Sequence, residues 1–300
     1  MIESLGCERA LLEAVIHPRH GAELVSSVLS SERFTSRADF GGGAALHHAS
    51  ATGSVEVVRI LLDWRSHPPR PDATAMAEAA ANGRVDVIHV LLSSSASTSA
   101  RVDMSPALIA AAKGGFLEIV EILLSTGVRA SGAALTEAAR RGHLDIVKHL
   151  IVLIDAADGV RSIPMALVYA CINRHIDIVR FLVEIGSPFG PAVMIYASLA
   201  GDLDVVTVLL KNGASPVDDA VIVAAKNGHV EVVKTLLLGG GNPLYMALFY
   251  AVKERHAEVA HVLMTAGDVS MTKIACDNGH EDVINALLAH YMPEEFETYI

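Results

Sequence analysis

Apolar residues along this chain recur in short runs of helical period, and each run ends in a polar break. One string repeats: a small residue, three positions, a glycine, two positions, an acid, two residues that are mostly β-branched, and then a leucine-type pair. The glycines at its centre are Gly53, Gly83, Gly115, Gly142, Gly201, Gly228 and Gly279, with Arg174 and Arg255 at the equivalent places in two further units. Successive junctions lie 30, 32, 27, 32, 27, 27, 27 and 24 residues apart. An acid follows each by three residues: Glu56, Asp86, Glu118, Asp145, Asp177, Asp204, Glu231, Glu258 and Asp282. Each unit therefore predicts two helices of no more than about a dozen residues, separated by a left-handed glycine stop. The periodic acid falls in the first turn of the second helix, where the helix dipole favours it by about 0.3–1 kcal/mol. Helices this short are marginal alone, so each must bury its apolar stripe against neighbouring units.

The string resembles the ankyrin repeat. The nearest match is Gly228-His229-Val230-Glu231-Val232-Val233-Lys234-Thr235-Leu236-Leu237, with Gly142-His143-Leu144-Asp145-Ile146-Val147-Lys148 close behind, and the likeness runs from about Ala44 onward. It implies an all-α, curved helix-turn-helix solenoid with a concave groove. On this reading residues 1–34 are a degenerate N-terminal capping repeat, 35–291 hold nine repeats, and 292–300 form an acidic tail. The family unit is about 33 residues, so the four 27-residue spacings imply trimmed or absent β-hairpin fingers. The family's Thr-Pro-Leu-His opening survives only as Ala44-Ala45-Leu46-His47, so most of the hydrogen bonds made through that histidine are expected to be lacking. Surface loops are expected over Asp63–Ala73, Ser93–Ser99 and Val152–Ile163.

Composition narrows the function classes. The net charge is −11 and aromatics are 5 % of the chain, which argues against a general nucleic-acid binder and for a thin, alanine-lined core. Cys7, Cys171 and Cys276 are odd in number and widely spaced, which points to a reducing, cytoplasmic or nuclear setting. Glu3 and Glu8 stand where a secretory signal wants basic residues, and the longest uncharged stretch is broken by Gly239-Gly240-Gly241-Asn242-Pro243, so neither secretion nor a membrane span is expected. No phosphate loop, HExxH, GxSxG or EF-hand string occurs, and no cofactor, metal or catalytic residue is assigned. Among the 14 histidines, His143, His175, His229, His256 and His280 follow a junction, where the resemblance implies packing and hydrogen bonding. Cys171 and Cys276 share a column with Ala80, Ala112, Ala139 and Ala225, and so stand in for buried alanine.

A repeat array keeps its core constant and reads its partner through variable columns. In the family, the column two places before the junction faces the groove. Here it includes Lys113, Arg140, Ile172, Leu199, Lys226 and Lys253, with Arg141 adjacent: basic shoulders around an apolar centre. Five places before the junction, Tyr169, Tyr196 and Tyr250 share one column; they read either as packing between repeats or as an aromatic wall beside Ile172 and Leu199, with Phe249 near. The reading that follows is a non-enzymatic interaction module that binds an acidic or amphipathic protein or peptide through these ten residues, Lys113 to Lys253. The alternative is a hydrophobic small-molecule binder or unorthodox enzyme that uses the same tyrosines with histidine or Glu137. At Arg174 and Arg255 a left-handed backbone would cost about 1–2 kcal/mol: either the turn is altered or the arginine is used.

Overall fold

The structure, a computed structural model, describes residues 2–17, 20–30, 42–64, 72–96, 102–242 and 245–266. Among them are helices and no strands, so the hairpin fingers expected to be trimmed are absent from the described residues. The chain forms two compact units, Met1–Ser162 and Ile163–Ile300. The ninth junction at Gly279, Cys276, the acidic tail and Pro68, Pro69 and Pro71 lie outside the described residues.

The first unit begins with α1 (Ile2–Ile16) and α2 (Gly21–Ser30) and continues through α3 (Gly42–Thr52), α4 (Val55–Leu62), α5 (Ala73–Ala81), α6 (Val85–Ala96), α7 (Ser105–Gly114), α8 (Leu117–Ser125), α9 (Gly132–Arg141) and α10 (Leu144–Leu153). The boundary falls inside α11 (Ala156–Ile172). The second unit then contains α12 (Ile176–Glu184), α13 (Pro191–Ala200), α14 (Leu203–Lys211), α15 (Asp218–Lys226), α16 (Val230–Leu238), α17 (Tyr245–Lys253) and α18 (Ala257–Ala266). Within each unit first helices stack on first helices, as α5 on α3 and α7 or α15 on α13 and α17, and second helices stack on second helices.

Side-chain size explains the stacking. First helices bury alanine: Ala75, Ala79 and Ala80 in α5, Ala134, Ala138 and Ala139 in α9, Ala220, Ala224 and Ala225 in α15. Second helices bury the branched pair and one leucine, such as Ile146, Val147 and Leu150 in α10 or Val205, Val206 and Leu209 in α14. Small residues bring the first helices close, and the larger trio fills the layer behind them. Cys171 is buried in the alanine column, and burial, with the Asp202 carboxylate adding to it, pushes its thiol up to about 12. Ser50 and Ser198 occupy the same column, and their hydroxyls are buried without a hydrogen-bond partner.

The turn between paired helices is left-handed, as the glycines predict; Gly115 has φ 82°. Conformational freedom is only half of the reason for glycine there. A Cβ on Gly115 would lie 2.5 Å from Cε1 of His143, because the next repeat lays its imidazole flat on the turn. That ring's Nε2–H donates to the Lys113 carbonyl at 3.2 Å. His229 and His256 do the same to the carbonyls of Leu199 and Lys226, each at 3.1 Å. The junction histidines are thus ties between repeats. In the first unit a further tie is His47, whose Nε2–H reaches both oxygens of Asp72, at 3.0 and 2.9 Å, so the histidine of the reduced opening string still joins two repeats. Asp72 also caps α5 by accepting from the Ala75 N–H at 2.8 Å. Burial pushes its carboxyl up, but the Ala75 bond and His47 outweigh this and hold it below the ordinary carboxylate value.

Two expected loops are helical in part. The stretch 152–163 ends α10 and opens α11, which at 17 residues exceeds the length expected from the repeat, and α6 runs on through Ala96. The added turns of α11 are held by tertiary contacts. The Asp158 carboxylate accepts the Gly132 N–H at 3.4 Å, and Ser162 packs against Gly132 so tightly that a Cβ there would meet its Cβ at 2.6 Å.

Candidate partner-binding face

The ten residues singled out from the sequence fall in both units, three in the first and seven in the second, all at the exposed or half-buried edge of first helices. In the first unit Lys113 ends α7 and Arg141 ends α9, both exposed. Arg140 is paired along its own helix. Its Nη2 lies 2.7 Å and its Nε 3.2 Å from Oε2 of Glu137, three residues earlier on the same helix. That pairing also commits Glu137, the carboxylate considered for acid-base work, to a structural partner.

In the second unit, residues 163–172 of α11 and all of α13 carry no ionisable charge apart from the buried Cys171 and the phenols Tyr169 and Tyr196. Their outer positions are apolar: Ile172 is 42 %, Tyr196 39 % and Leu199 46 % exposed, and Met165 stands out as well. Tyr169 is half-buried, sharing the packing role and the surface. The strip continues onto α15 and α17, where Lys226 Nζ sits 5.4 Å from the centre of the Tyr250 ring, a cation–π contact that holds the ammonium on the face. Phe249 meets Tyr250 edge-on at 5.4 Å and Tyr245 at 6.4 Å, all on α17. Lys253 is exposed at the end of that helix.

Arg174 resolves the alternative posed by the sequence. Its φ is 61°, so the turn is unaltered, and its Nε donates to Oδ2 of Asp202 at 3.2 Å. Asp202 stands where other repeats place the ring that covers the junction, and its Oδ1 caps α14 through the Val205 N–H at 3.3 Å. Arg255 has the same left-handed turn, φ 63°. Sequence reading missed Asp202. The signal was present: after the described junctions the residue is Ser54, Arg84, Phe116, His143, His175, Asp202, His229 and His256, and the one acid comes one repeat after the first arginine junction.

Three clefts, of about 410, 560 and 480 Å³, lie along the second helices and connecting loops of the first unit, and the ten residues line none of them. Among the described residues no group of three metal-ligating side chains converges, and no helix is long and apolar enough to cross a membrane.

Stacked helix-turn-helix pairs with a constant core and variable outer columns define a repeat-array interaction domain. The family description "Ankyrin repeats (3 copies)" matches residues 11–102, 99–161, 135–220, 193–273 and 221–297, and the chain belongs to the ankyrin repeat family. Among solved structures it is similar to the human ASB11 ankyrin repeat domain, with 23 % identity and a TM-score of 0.55 over 66 % of this chain and 99 % of that one. No curated protein matches it.

Proposed function

We propose that this ankyrin-repeat chain is a non-enzymatic interaction module that holds an amphipathic, acidic protein segment against the first-helix face of its second unit. The observation that carries this is the absence of charge from residues 163–172 of α11 and from all of α13, which expose Ile172, Tyr196 and Leu199, together with the Lys226–Tyr250 pair on the following first helices. Apolar and aromatic side chains supply desolvation energy at an interface centre. Lys226 and Lys253 on the same unit supply attraction and approach rate for an acidic partner. Nine repeats behind an N-terminal cap, with a short acidic tail, and a cytoplasmic setting complete the reading.

The test is selection of binders to the full chain from a displayed library of random 16-residue peptides, followed by affinity measurement against Leu199→Asp and Tyr196→Ala. Peptides that lose at least tenfold in affinity to Leu199→Asp support the face. Binders indifferent to both substitutions place the partner surface elsewhere and defeat the proposal.

A further inference from the structure

Glycine fills six of the eight described junctions, at φ between 68° and 87°. Five of the six carry a side chain of the following repeat directly on the bare Cα: Arg84 on Gly53, Phe116 on Gly83, and histidines on Gly115, Gly201 and Gly228. That arrangement is strain-free and self-tying. The two non-glycine residues described at positive φ are both arginine, a type with no preference for the left-handed region. At Arg174 the ring seat is given up and a carboxylate, Asp202, takes its place, with a side chain only 9 % exposed. Repeat architecture alone asks for neither, and the next two junctions of the same unit show what it uses instead. Residues held in sparsely populated backbone regions at some cost cluster where function needs them.

We infer that Arg174 is a carboxylate-receiving residue of the partner-binding face, its Nε fixed by Asp202 and its two terminal nitrogens turned to an aspartate or glutamate of the bound protein segment; the inference rests on the interaction reading above. The guanidinium is anchored on one edge and exposed on the other: its side chain is 64 % exposed, and it forms no second ion pair among the described residues. Preorganisation of this kind removes the rotamer entropy that a free arginine loses on binding. Its place is set by the chain. Arg174 follows Ile172 by two residues and Asp202 follows Leu199 by three, so the fork stands at the ends of α11 and α13 beside the exposed apolar pair. The charge balance selects the ligand. The buried Asp202 already offsets one unit of charge, so the pair offers directional donors without a large positive field, which suits a monoanionic carboxylate in bidentate contact and not a phosphate dianion.

The experiment uses the full chain, binders selected from the random 16-residue library, and the same peptides with each Asp or Glu changed to its amide. The informative variant is the pair Arg174→Gly with Asp202→His, which recreates the glycine-and-ring seat of Gly201 and His229 and is expected to melt no lower than wild type. Arg174→Lys is the second variant, keeping the charge and losing the fork. The expected result is that one amide change weakens binding at least tenfold to wild type, threefold or more to Arg174→Lys, and less than twofold to the Gly/His pair. An amide penalty equal in all three proteins overturns the role of Arg174 while leaving the face intact, as do selected binders that carry no acid. Phosphoserine in place of the critical acid binding tenfold tighter overturns the carboxylate assignment. A library that yields no binder defeats both the face and the arginine.

Discussion

Replacing Gly201 by alanine separates two reasons for glycine at a junction. Gly201 has φ 68°, and a Cβ there would stand 2.5 Å from Nδ1 and 2.6 Å from Cε1 of His229. Gly213, at the end of the same repeat, has φ 85° and nothing within 4 Å of a would-be Cβ. Both substitutions incur the left-handed penalty, about 1–2 kcal/mol for a residue with a Cβ. Only Gly201→Ala must also lift the imidazole off its seat and break the His229 bond to the Leu199 carbonyl, adding about 0.5–1.5 kcal/mol. The expected losses are about 2–3 kcal/mol at Gly201 against about 1–2 kcal/mol at Gly213. Hydrogen exchange at the amides of α13 and α14 reads this locally, because a repeat array opens in parts. Protection there falls about thirtyfold or more for Gly201→Ala, and several-fold less for Gly213→Ala. In a His229→Ala background the excess cost of Gly201→Ala should vanish, leaving the backbone penalty alone. Equal losses at the two glycines, or an excess that survives removal of His229, would refute the ring seat as a determinant of the junction.

The buried serines in the alanine column give a simpler stability test: Ser50→Ala and Ser198→Ala each remove an unpartnered buried hydroxyl and should stabilise the fold by about 1 kcal/mol, read as a higher urea midpoint, whereas a drop would mean the hydroxyls are satisfied. Cys171, with Cys7 and Cys276 changed to serine, should resist a disulfide reagent at pH 8 until urea is added, since burial holds its thiol near 12. Because that folded value is raised, its contribution to stability is complete below the thiol's ordinary range, about 8.5, and is lost as pH climbs from there to about 12; Cys171→Ala should lessen the fall in stability between about pH 9 and 10.5, roughly the lower half of that window. At Asp72, substitution by alanine removes the α5 cap and should cost about 1 kcal/mol, while asparagine, an equally good cap, should cost a few tenths. The Asp72 carboxyl is held low, so the advantage of wild type over Asp72→Asn is present above the ordinary carboxylate range and should fade as pH falls below about 4; an advantage unchanged at pH 3 contradicts the His47 pairing.

What could be read from the chain was whatever repeats within a few residues. The small residue, glycine, acid, branched pair and leucine lie close enough that one repeat contains the whole reason for each, and the helices form where that string predicts them. The extension of α11 was hidden because its cause is remote: residues 156–163 read as a loop, carrying Asp158 and Gly159 ahead of Pro164, and become helix through the contacts of Asp158 and Ser162 with Gly132, some 26 residues earlier. The Arg140–Glu137 pair was overlooked for the opposite reason. Glu137 is three residues from Arg140 and visible in the sequence, but reading down a column, one position per repeat, discards the neighbour along the helix that neutralises the arginine.

Arg174 and Asp202 show a third kind of information, neither local nor columnar. Each is an outlier in its own column, and each column alone suggests a defect: an arginine where the backbone wants glycine, an acid where the scaffold wants a ring. Placed together across 28 residues, roughly one repeat, they form a single exchange in which the ring seat is replaced by an ion pair. The two changes answer each other: the carboxylate receives the arginine that stands in place of glycine, and the arginine offsets a carboxylate that is only 9 % exposed. In a repeat protein the conserved string specifies the scaffold. Paired departures from it, one repeat apart, are where the sequence itself points to use, and here that pointer leads to the edge of the apolar, charge-free strip formed by residues 163–172 and α13.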